Sequence, residues 1–559
     1  MSRQKKTWWK EAIVYQIYPR SFRDTNGDGI GDLPGITQNL DYIQSLGVDV
    51  IWLNPVYSSP NDDNGYDISD YRNIMADFGT MADFDEMLSG MHKRGLKLVM
   101  DLVVNHSSDE HEWFKQSRST RDNPYRDYYH WWPAEKGKPA ARWSFFDVNG
   151  DAWRYDQQTD AYYLHYFSVK QPDLNWENPK LRNEIYAMMN FWFDKGVDGF
   201  RMDVIPLISK DTDFPPLPEK YHGDYVSYYA DGANLHAYLQ EMHRESLGKY
   251  DIMTVGEGLG ISIDNAHKLV DEDRHELNMF FHFEIVSLGL GGYKQPLPEG
   301  WKLADFKAIH TRWSDVFSEK GWGSVYLGNH DQPRMVSRWG NDSDEFRVRS
   351  AKMLHTFLLS MRATPYIYYG DELGMKNIRF DRIEQYRDIE THNWHTLLKN
   401  QGENTSAYLE GWKLTARDNG RTPFQWNAGL HAGFSAAEPW ISINPDYREV
   451  NRETQENDPD SVLNYFRRMA RLRKQHPVLV YGDYELIDAA NEQVYAYLRT
   501  LENERWLVIL NFSQKKAAVA LPDDLQHCKK EFKISNLDRK ECSVIEIEPY
   551  EASVYRLEN

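Results

Sequence analysis

Cysteine is almost absent from this sequence: Cys528 and Cys542 are the only two among 559 residues. A disulfide framework is excluded, and one bridge is the most the chain could form. Long apolar runs are missing too, since no stretch approaches the roughly 18 uncharged apolar residues of a membrane helix. The opening MSRQKKTWWKEAIVYQIYPRSF is basic but has no apolar signal core or cleavage site. A cytoplasmic protein with no membrane partner is expected. Basic charge is in deficit: 65 Lys and Arg against 85 Asp and Glu give a net charge of −20. Nucleic acid needs a basic footprint, so it is excluded as a partner. The same charge favours solubility, and a monomer or weak oligomer is expected.

What remains is the composition of a globular protein, 41% hydrophobic and 27% charged, in a chain long enough for two or three domains. Its 19 Trp and 35 Tyr suit sugar rings as well as large cores. The apolar pattern alternates between two periods. Strand-like runs at 11–18, 48–53 and 96–100 are separated by helical spacings, Ile36, Leu40, Ile43 and Leu46 and then Phe84, Leu88 and Met91. Further strands follow at 197–204, 252–255, 279–283, 324–327 and 365–369. Strand and helix in alternation mean a parallel sheet with right-handed crossovers. Eight strands favour an α/β (β/α)8 TIM barrel over a doubly wound sheet. The expected barrel spans 1–106 and 175–480, including a polar insert at about 373–460. Residues 107–174, rich in Trp, Tyr, Asp and His, break the rhythm as a small domain inserted after strand 3. From 481 to 559 the pattern becomes antiparallel, a C-terminal β-sandwich domain.

Polar residues cluster just after the strands, where a barrel carries its chemistry. Arg201 and Asp203 emerge together from the fourth strand, because residues i and i+2 share a face. The cation is expected to hold the carboxyl down and keep it ionised. Glu257 and Asp331 end the fifth and seventh strands. Glycoside hydrolysis needs two acids flanking one bond, one ionised and one protonated. Asp203 suits the first role, and Glu257, near other acids, is expected to have a raised pKa and suit the second. Separately, Asp24-Thr25-Asn26-Gly27-Asp28-Gly29-Ile30-Gly31-Asp32 alternates oxygen ligands with glycines. It reads either as a turn or as a single structural Ca2+ site using Asp24, Asn26, Asp28, Asp32 and the Ile30 carbonyl. It is not an EF-hand, because the twelfth position is Gly35 rather than Glu.

The motifs DLVVNH (101–106), GFRMDV (199–204), TVGE (254–257), GNHDQPR (328–334) and QPDLNW (171–176) resemble the signature regions of the α-amylase superfamily of glycoside hydrolases. SPNDDNGYDISDY (59–71) and RDNGRTPFQW (417–426) are similar to its oligo-1,6-glucosidase and α-glucosidase subgroup. The resemblance runs in order through almost the whole chain. It implies Asp203 as nucleophile forming a β-glucosyl-enzyme, Glu257 as general acid/base and Asp331 as transition-state stabiliser. It implies that His106, His330 and a stacking Tyr66 hold the sugar at subsite −1, with Phe167 lining the same pocket. Asp63 and Arg417 would pair and close the pocket, making the enzyme exo-acting on small oligosaccharides. Lys294 and Glu390 would reach the +1 sugar. Val204, after the nucleophile, resembles the α-1,6-active enzymes; it reads otherwise as a packing residue. Leu259 and Gly328 depart from the pattern of relatives, as does the stretch 289–299. The implied activity is a retaining exo-α-glucosidase that prefers α-1,6 links. The alternatives are an α-1,4, sucrose, trehalulose or isomaltulose preference, or a sucrose isomerase. The isomerases carry an arginine-rich motif between strands six and seven, which 284–323 lacks; Arg379-Phe380-Asp381-Arg382 comes after strand eight. A non-catalytic relative would have lost the three acids that this chain keeps.

Overall fold

The apolar runs become eight strands: β1 (Val14–Ile17), β2 (Val50–Leu53), β3 (Lys97–Val103), β4 (Gly199–Asp203), β5 (Met253–Gly258), β6 (Met279–His282), β7 (Ser324–Val325) and β8 (Thr364–Tyr368). The structure, a computed structural model, describes residues 5–147, 150–230, 232–537 and 546–558. Strand order is β6-β5-β4-β3-β2-β1-β8-β7, and neighbouring strands run parallel. The end strands meet through side chains: Ser324 Oγ donates to Phe280 O at 2.9 Å and Tyr326 Oη to His282 O at 2.8 Å. The result is a nearly closed barrel. Strands β1, β2, β4, β6 and β8 are buried along their whole length. Helices cover one face and barrel side chains the other, which is why these runs read as continuously apolar.

The helical spacings are realised with local signals. Helix α1 (Met81–Lys93) opens with a Thr80–Asp83 capping box and buries Phe84, Met87, Leu88 and Met91. Helix α2 (Pro179–Lys195) starts at an Asn178 cap with proline in its first turn, and ends at left-handed Gly196. The single helix read over 36–46 is instead two short ones, Leu33–Gln38 and Leu40–Ser45. Asn39 separates them: its Nδ2 takes the Gly35 carbonyl at 2.7 Å, an acceptor that helix continuation would have used.

Between β3 and β4 the chain builds a three-stranded antiparallel sheet from Trp131–Pro133, Ala161–Leu164 and Trp153–Asp156. It returns to the barrel through bridges His106↔Asp173 and Tyr129↔Leu174. After β8, helices α3 (Ile389–Asn400) and α4 (Thr405–Thr415) lie in the long insert, and α5 (Val462–Gln475) precedes the C-terminal region. There, β9 (Asp483–Ile487), β10 (Val494–Leu501), β11 (Glu504–Asn511), β12 (Lys529–Ser535) and β13 (Ala552–Glu558) form one antiparallel sheet, ordered β9-β10-β11-β13-β12. A sandwich was expected. The described residues form one sheet, packed on the barrel by one face and covered on the other by Ala517, Val519, Leu521, Ile547 and Leu525 of the helix Asp523–His527. The β-patterned residues 542–545 lie outside the described residues, as does Cys542; Cys528 has no disulfide partner among the described residues. Among the described residues no helix is long and apolar enough to cross a membrane.

Two fully buried arginines tie the C-terminal sheet to the barrel. Arg473 on α5 donates to the carbonyls of Leu359, Met361, Ala363 and Leu479. Arg499 on β10 donates to those of Ser360, Leu479, Val480 and Gly482. Arg499→Leu should destabilise the protein by about 2–4 kcal/mol, because buried carbonyls lose their donor. Denaturant titration reads this, and an unchanged midpoint would show that the joint does not depend on Arg499.

Candidate active site

Arg201 sits at the centre. Ladder register places it opposite Asp101 of β3, and its own strand places Asp203 two residues on, on the same face. Its Nη1 donates to Asp101 Oδ1 and Asp203 Oδ1, both at 2.7 Å, and its Nη2 meets Glu257 Oε2, from β5, at 2.8 Å. Trp52 braces the pair, donating from Nε1 to Asp101 Oδ2 at 3.0 Å under the guanidinium. Strand β4 then ends abruptly. Val204 takes a left-handed conformation (φ 34°, ψ 39°), strained for a β-branched residue, and its N–H donates to Glu257 Oε2 at 3.0 Å.

The direction of the Asp203 pKa is the reverse of the one read from sequence. Burial pushes its carboxyl well above the ordinary value; Arg201 opposes this, while Glu257 and Asp101 add to it. One cation serves three buried carboxylates, so Arg201 does not offset the effect of burial on Asp203. The sequence showed the partner on Asp203's own strand but not the two further acids that share it.

A second group surrounds Asp331. Its Oδ1 accepts from Arg417 Nη1 and Arg421 Nη2, each at 3.0 Å, and its Oδ2 lies 3.1 Å from His330 Nε2. Burial alone would raise this carboxyl, but His330, Arg417 and Arg421 together hold it well below its ordinary value. Asp388, the N-cap of α3, lies beneath both arginines: Arg417 reaches it from Nε at 3.0 Å and Nη2 at 2.5 Å. The Arg417–Asp63 pairing read from sequence is present at 3.6 Å, but Asp388 and Asp331 are the nearer partners. Gln171 joins Asp63 Oδ2 at 3.0 Å to His106 Nε2 at 3.2 Å. His106 is kept neutral by burial and by Lys210, which lower it to about 3. Tyr66 Oη lies 2.6 Å from His330 Nε2, and the two rings are nearly parallel.

Twelve of the fourteen catalytic and sugar-binding residues read from sequence line one cavity of about 340 Å3. They are Asp203, Glu257, Asp331, Asp63, Tyr66, His106, Phe167, Val204, Leu259, Lys294, Glu390 and Arg417. Arg201 and His330 are buried behind it. Lys294 Nζ pairs with Glu390 Oε2 at 2.7 Å across the rim, and Phe167 packs on His106. Phe145, Phe146, Phe283, Leu290, Asn329 and Gln332 also line it and were not singled out. Asp388 and Phe145 carried no local signal. Asp101, Gln171 and Arg421 lay inside recognised motifs without an assigned role.

The Asp24–Asp32 loop curls through left-handed Gly27 and Gly29. Asp24 accepts from the Gly27 and Gly29 amides, Asp28 from Ile30 N, and Asp32 from Thr25 N and Gly35 N. Three carboxylates, one amide oxygen and a carbonyl make a hard donor set suited to Ca2+. The carboxylates spend oxygens on these amides, and among the described residues no group of three or more His, Cys, Asp or Glu is arranged to hold a metal.

Residues 16–482 match the family described as alpha amylase, catalytic domain, and 484–542 match the maltogenic amylase C-terminal domain. The chain belongs to the α-amylase family. It is 54% identical to an oligo-1,6-glucosidase of Parageobacillus thermoglucosidasius, covering 99% of each chain. It is 50% identical to that of Bacillus cereus, covering 99% of this chain and 100% of the other. Among solved structures, an isomaltulose synthase from Protaminobacter rubrum is 45% identical, with a TM-score of 0.96 over 100% of both chains. This α-amylase-family protein is therefore a glycoside hydrolase of the oligo-1,6-glucosidase/α-glucosidase type, acting on α-glucosidic links.

Asp63 gives the site a measurable pH dependence. Burial, opposed by Arg417, pushes its carboxyl up from 3.8 to about 7. The folded protein then holds this proton more tightly than the unfolded chain, so the group lowers stability progressively as pH rises from about 4 to about 7. Asp63→Asn removes that cost. The Tm of the variant minus that of the native protein should increase between about pH 5 and about pH 7.5. A flat difference would mean that Asp63 titrates as an ordinary carboxylate.

Proposed function

We propose that this enzyme is a retaining, exo-acting α-glucosidase that removes terminal α-1,6-linked glucose from short isomalto-oligosaccharides. One observation carries the reading: the two terminal nitrogens of Arg201 grip Asp203 and Glu257 at 2.7 and 2.8 Å, in a cavity walled at one end by Asp63 and Arg417. Two carboxyls sharing one guanidinium are closely spaced. That supports retention, which uses a separation of about 5 Å, over inversion, which needs room for water between them.

In this reading Glu257 is the proton donor. Its Oε2 is held by Arg201 and Val204 N–H, which leaves Oε1 for the glycosidic oxygen. Asp203 Oδ1 is held by Arg201, which leaves Oδ2 to attack the anomeric carbon. The C1–O bond breaks, its electron pair stays on the leaving oxygen, and that oxygen takes the Glu257 proton. Glu257 then removes a proton from water, the water oxygen bonds C1, and the Asp203 ester breaks to restore the carboxylate. Asp331, kept ionised by His330, Arg417 and Arg421, holds ring hydroxyls as positive charge develops at C1. Tyr66, His106 and His330 hold the same ring. The wall at Asp63 and Arg417 admits one terminal glucose, and Lys294 and Glu390 meet the next. Val204 narrows the space beside C1 on the leaving-group side, and Leu259 bounds it further on.

The relatives named oligo-1,6-glucosidase support the α-1,6 preference. The isomaltulose synthase likeness favours a second reading, sucrose isomerisation through the same intermediate. Against it, Arg379 of the Arg379–Arg382 run is paired with Asp342 at 2.5 Å, and none of its four residues lines the cavity. We also propose one structural Ca2+ in the Asp24–Asp32 loop, held by Asp24, Asn26, Asp28, Asp32 and the Ile30 carbonyl, remote from the chemistry.

Initial rates on isomaltose, maltose and sucrose decide the linkage, with Asp203→Asn as blank. Isomaltose should be strongly preferred, and Asp203→Asn should lose roughly 10⁴-fold or more in kcat. Val204→Thr should move the isomaltose-to-maltose ratio toward maltose by about tenfold. A native preference for maltose would overturn the linkage reading, and isomaltulose from sucrose would establish the isomerase. Chelation should lower Tm while leaving the rate at moderate temperature nearly unchanged; an unmoved Tm counts against an exchangeable Ca2+.

A further inference from the structure

The cavity of about 340 Å3 is near the lower end of ligand pockets, which run from about 300 to 1,000 Å3. Its far end is shut by Asp63 and Arg417, so a substrate longer than a disaccharide must continue outward through the mouth. A line of aromatic rings leads that way. Phe167 stacks on Phe145 at 4.9 Å, and both line the cavity. Phe145 meets Tyr225, on the helix Tyr225–Tyr229 after β4, at 5.4 Å, and Tyr225 meets Trp143 at 5.9 Å. Each step is comparable to the width of one pyranose ring.

Trp143 is 43% exposed, one of five large hydrophobic side chains left exposed among the described residues. Its backbone is fixed: Trp143 N–H donates to Tyr229 Oη at 2.8 Å, and Tyr229 Oη donates to Trp143 O at 3.0 Å. Tyr229 is itself stacked on Tyr166 at 4.0 Å. Gly150 lies against the indole, and a Cβ there would come within 2.7 Å of the ring. The absent side chain lets backbone support the ring on that side. Leu297, another of the five, belongs to the turn after β6, where it lies within 3.4 Å of the Cβ position of Gly291, which lines the cavity. Exposed apolar residues thus occur on two segments that border the mouth. A rigid aromatic plate with little conformational freedom to lose is the kind of surface on which a sugar ring stacks.

We propose that Trp143 is the floor of a distal subsite that binds the leaving-group side of α-gluco-oligosaccharides longer than a disaccharide. This rests on the exo-glucosidase reading, because only a cavity blind at the non-reducing end sends the rest of the chain toward Trp143. A disaccharide leaves the plate untouched, whereas a tetrasaccharide reaches it through Phe145 and Tyr225.

The test is the ratio of kcat/KM for tetrasaccharide to that for disaccharide, in native protein, Trp143→Ala and Trp143→Phe, with Tm measured on each. Both the isomalto and the malto series are run. Trp143→Ala should lower the ratio about three- to tenfold through KM of the tetrasaccharide, with isomaltose kinetics and Tm unchanged. Trp143→Phe should restore most of it. An unchanged ratio in Trp143→Ala overturns the subsite, as does a loss equal on both chain lengths. If native protein favours the malto series, the linkage reading fails, while the ratio within that series still decides the role of Trp143.

Discussion

The site depends on one guanidinium shared by three carboxylates. Arg201 is fully buried, and its two terminal nitrogens reach Asp101, Asp203 and Glu257 on three consecutive strands of the barrel sheet. A buried cation with one partner would be a costly structural pair. With three it fixes the relative positions of acids from β3, β4 and β5, and leaves the group short of positive charge. That shortage leaves the Asp203 carboxyl above its ordinary pKa. The same contact that aligns the two acids therefore also bears on the ionisation of Asp203, and glycoside hydrolysis depends on both.

Asp331 is treated in the opposite way. Two arginines from the insert after β8 converge on it, and Asp388 anchors both from the start of α3. Burial would protonate Asp331, but this cage keeps it charged. Residues of the insert thus hold a barrel carboxylate in its working state, and Glu390, two residues beyond Asp388, reaches the cavity rim. The catalytic end of the barrel is built as much by the insert as by the strands, which fits the general placement of such sites in loops carried by a rigid sheet.

Much of this was legible in the sequence because its signals are local. Strand periods marked the eight strands, since burial on both faces leaves continuous apolar runs, and helical spacing marked the helices between the first three. Spacing of two put Arg201 beside Asp203, and the family resemblance pointed to twelve residues that do line one cavity, eight of them inside its motifs. The local signal failed where a side chain competes with backbone, as at Asn39, which splits a helix that the apolar spacing alone joins. In the C-terminal domain alternation implied a sandwich, and the described residues form one antiparallel sheet. Alternation records that both faces are covered and not what covers them; here the barrel covers one.

The sequence by itself determined the barrel, its inserted domain, the acids at the strand ends and the family to which the chain belongs. Each of these is written in residue type and short-range spacing. Tertiary structure alone decided the upward shift of the Asp203 pKa, the role of Asp388 and the sharing of Arg417 among Asp63, Asp331 and Asp388. A pKa depends on every charge and on all the water excluded within a few ångströms, and those neighbours come from segments far apart in the chain. Asp388 is one unremarkable aspartate among 85 acidic residues until folding sets it beneath two arginines.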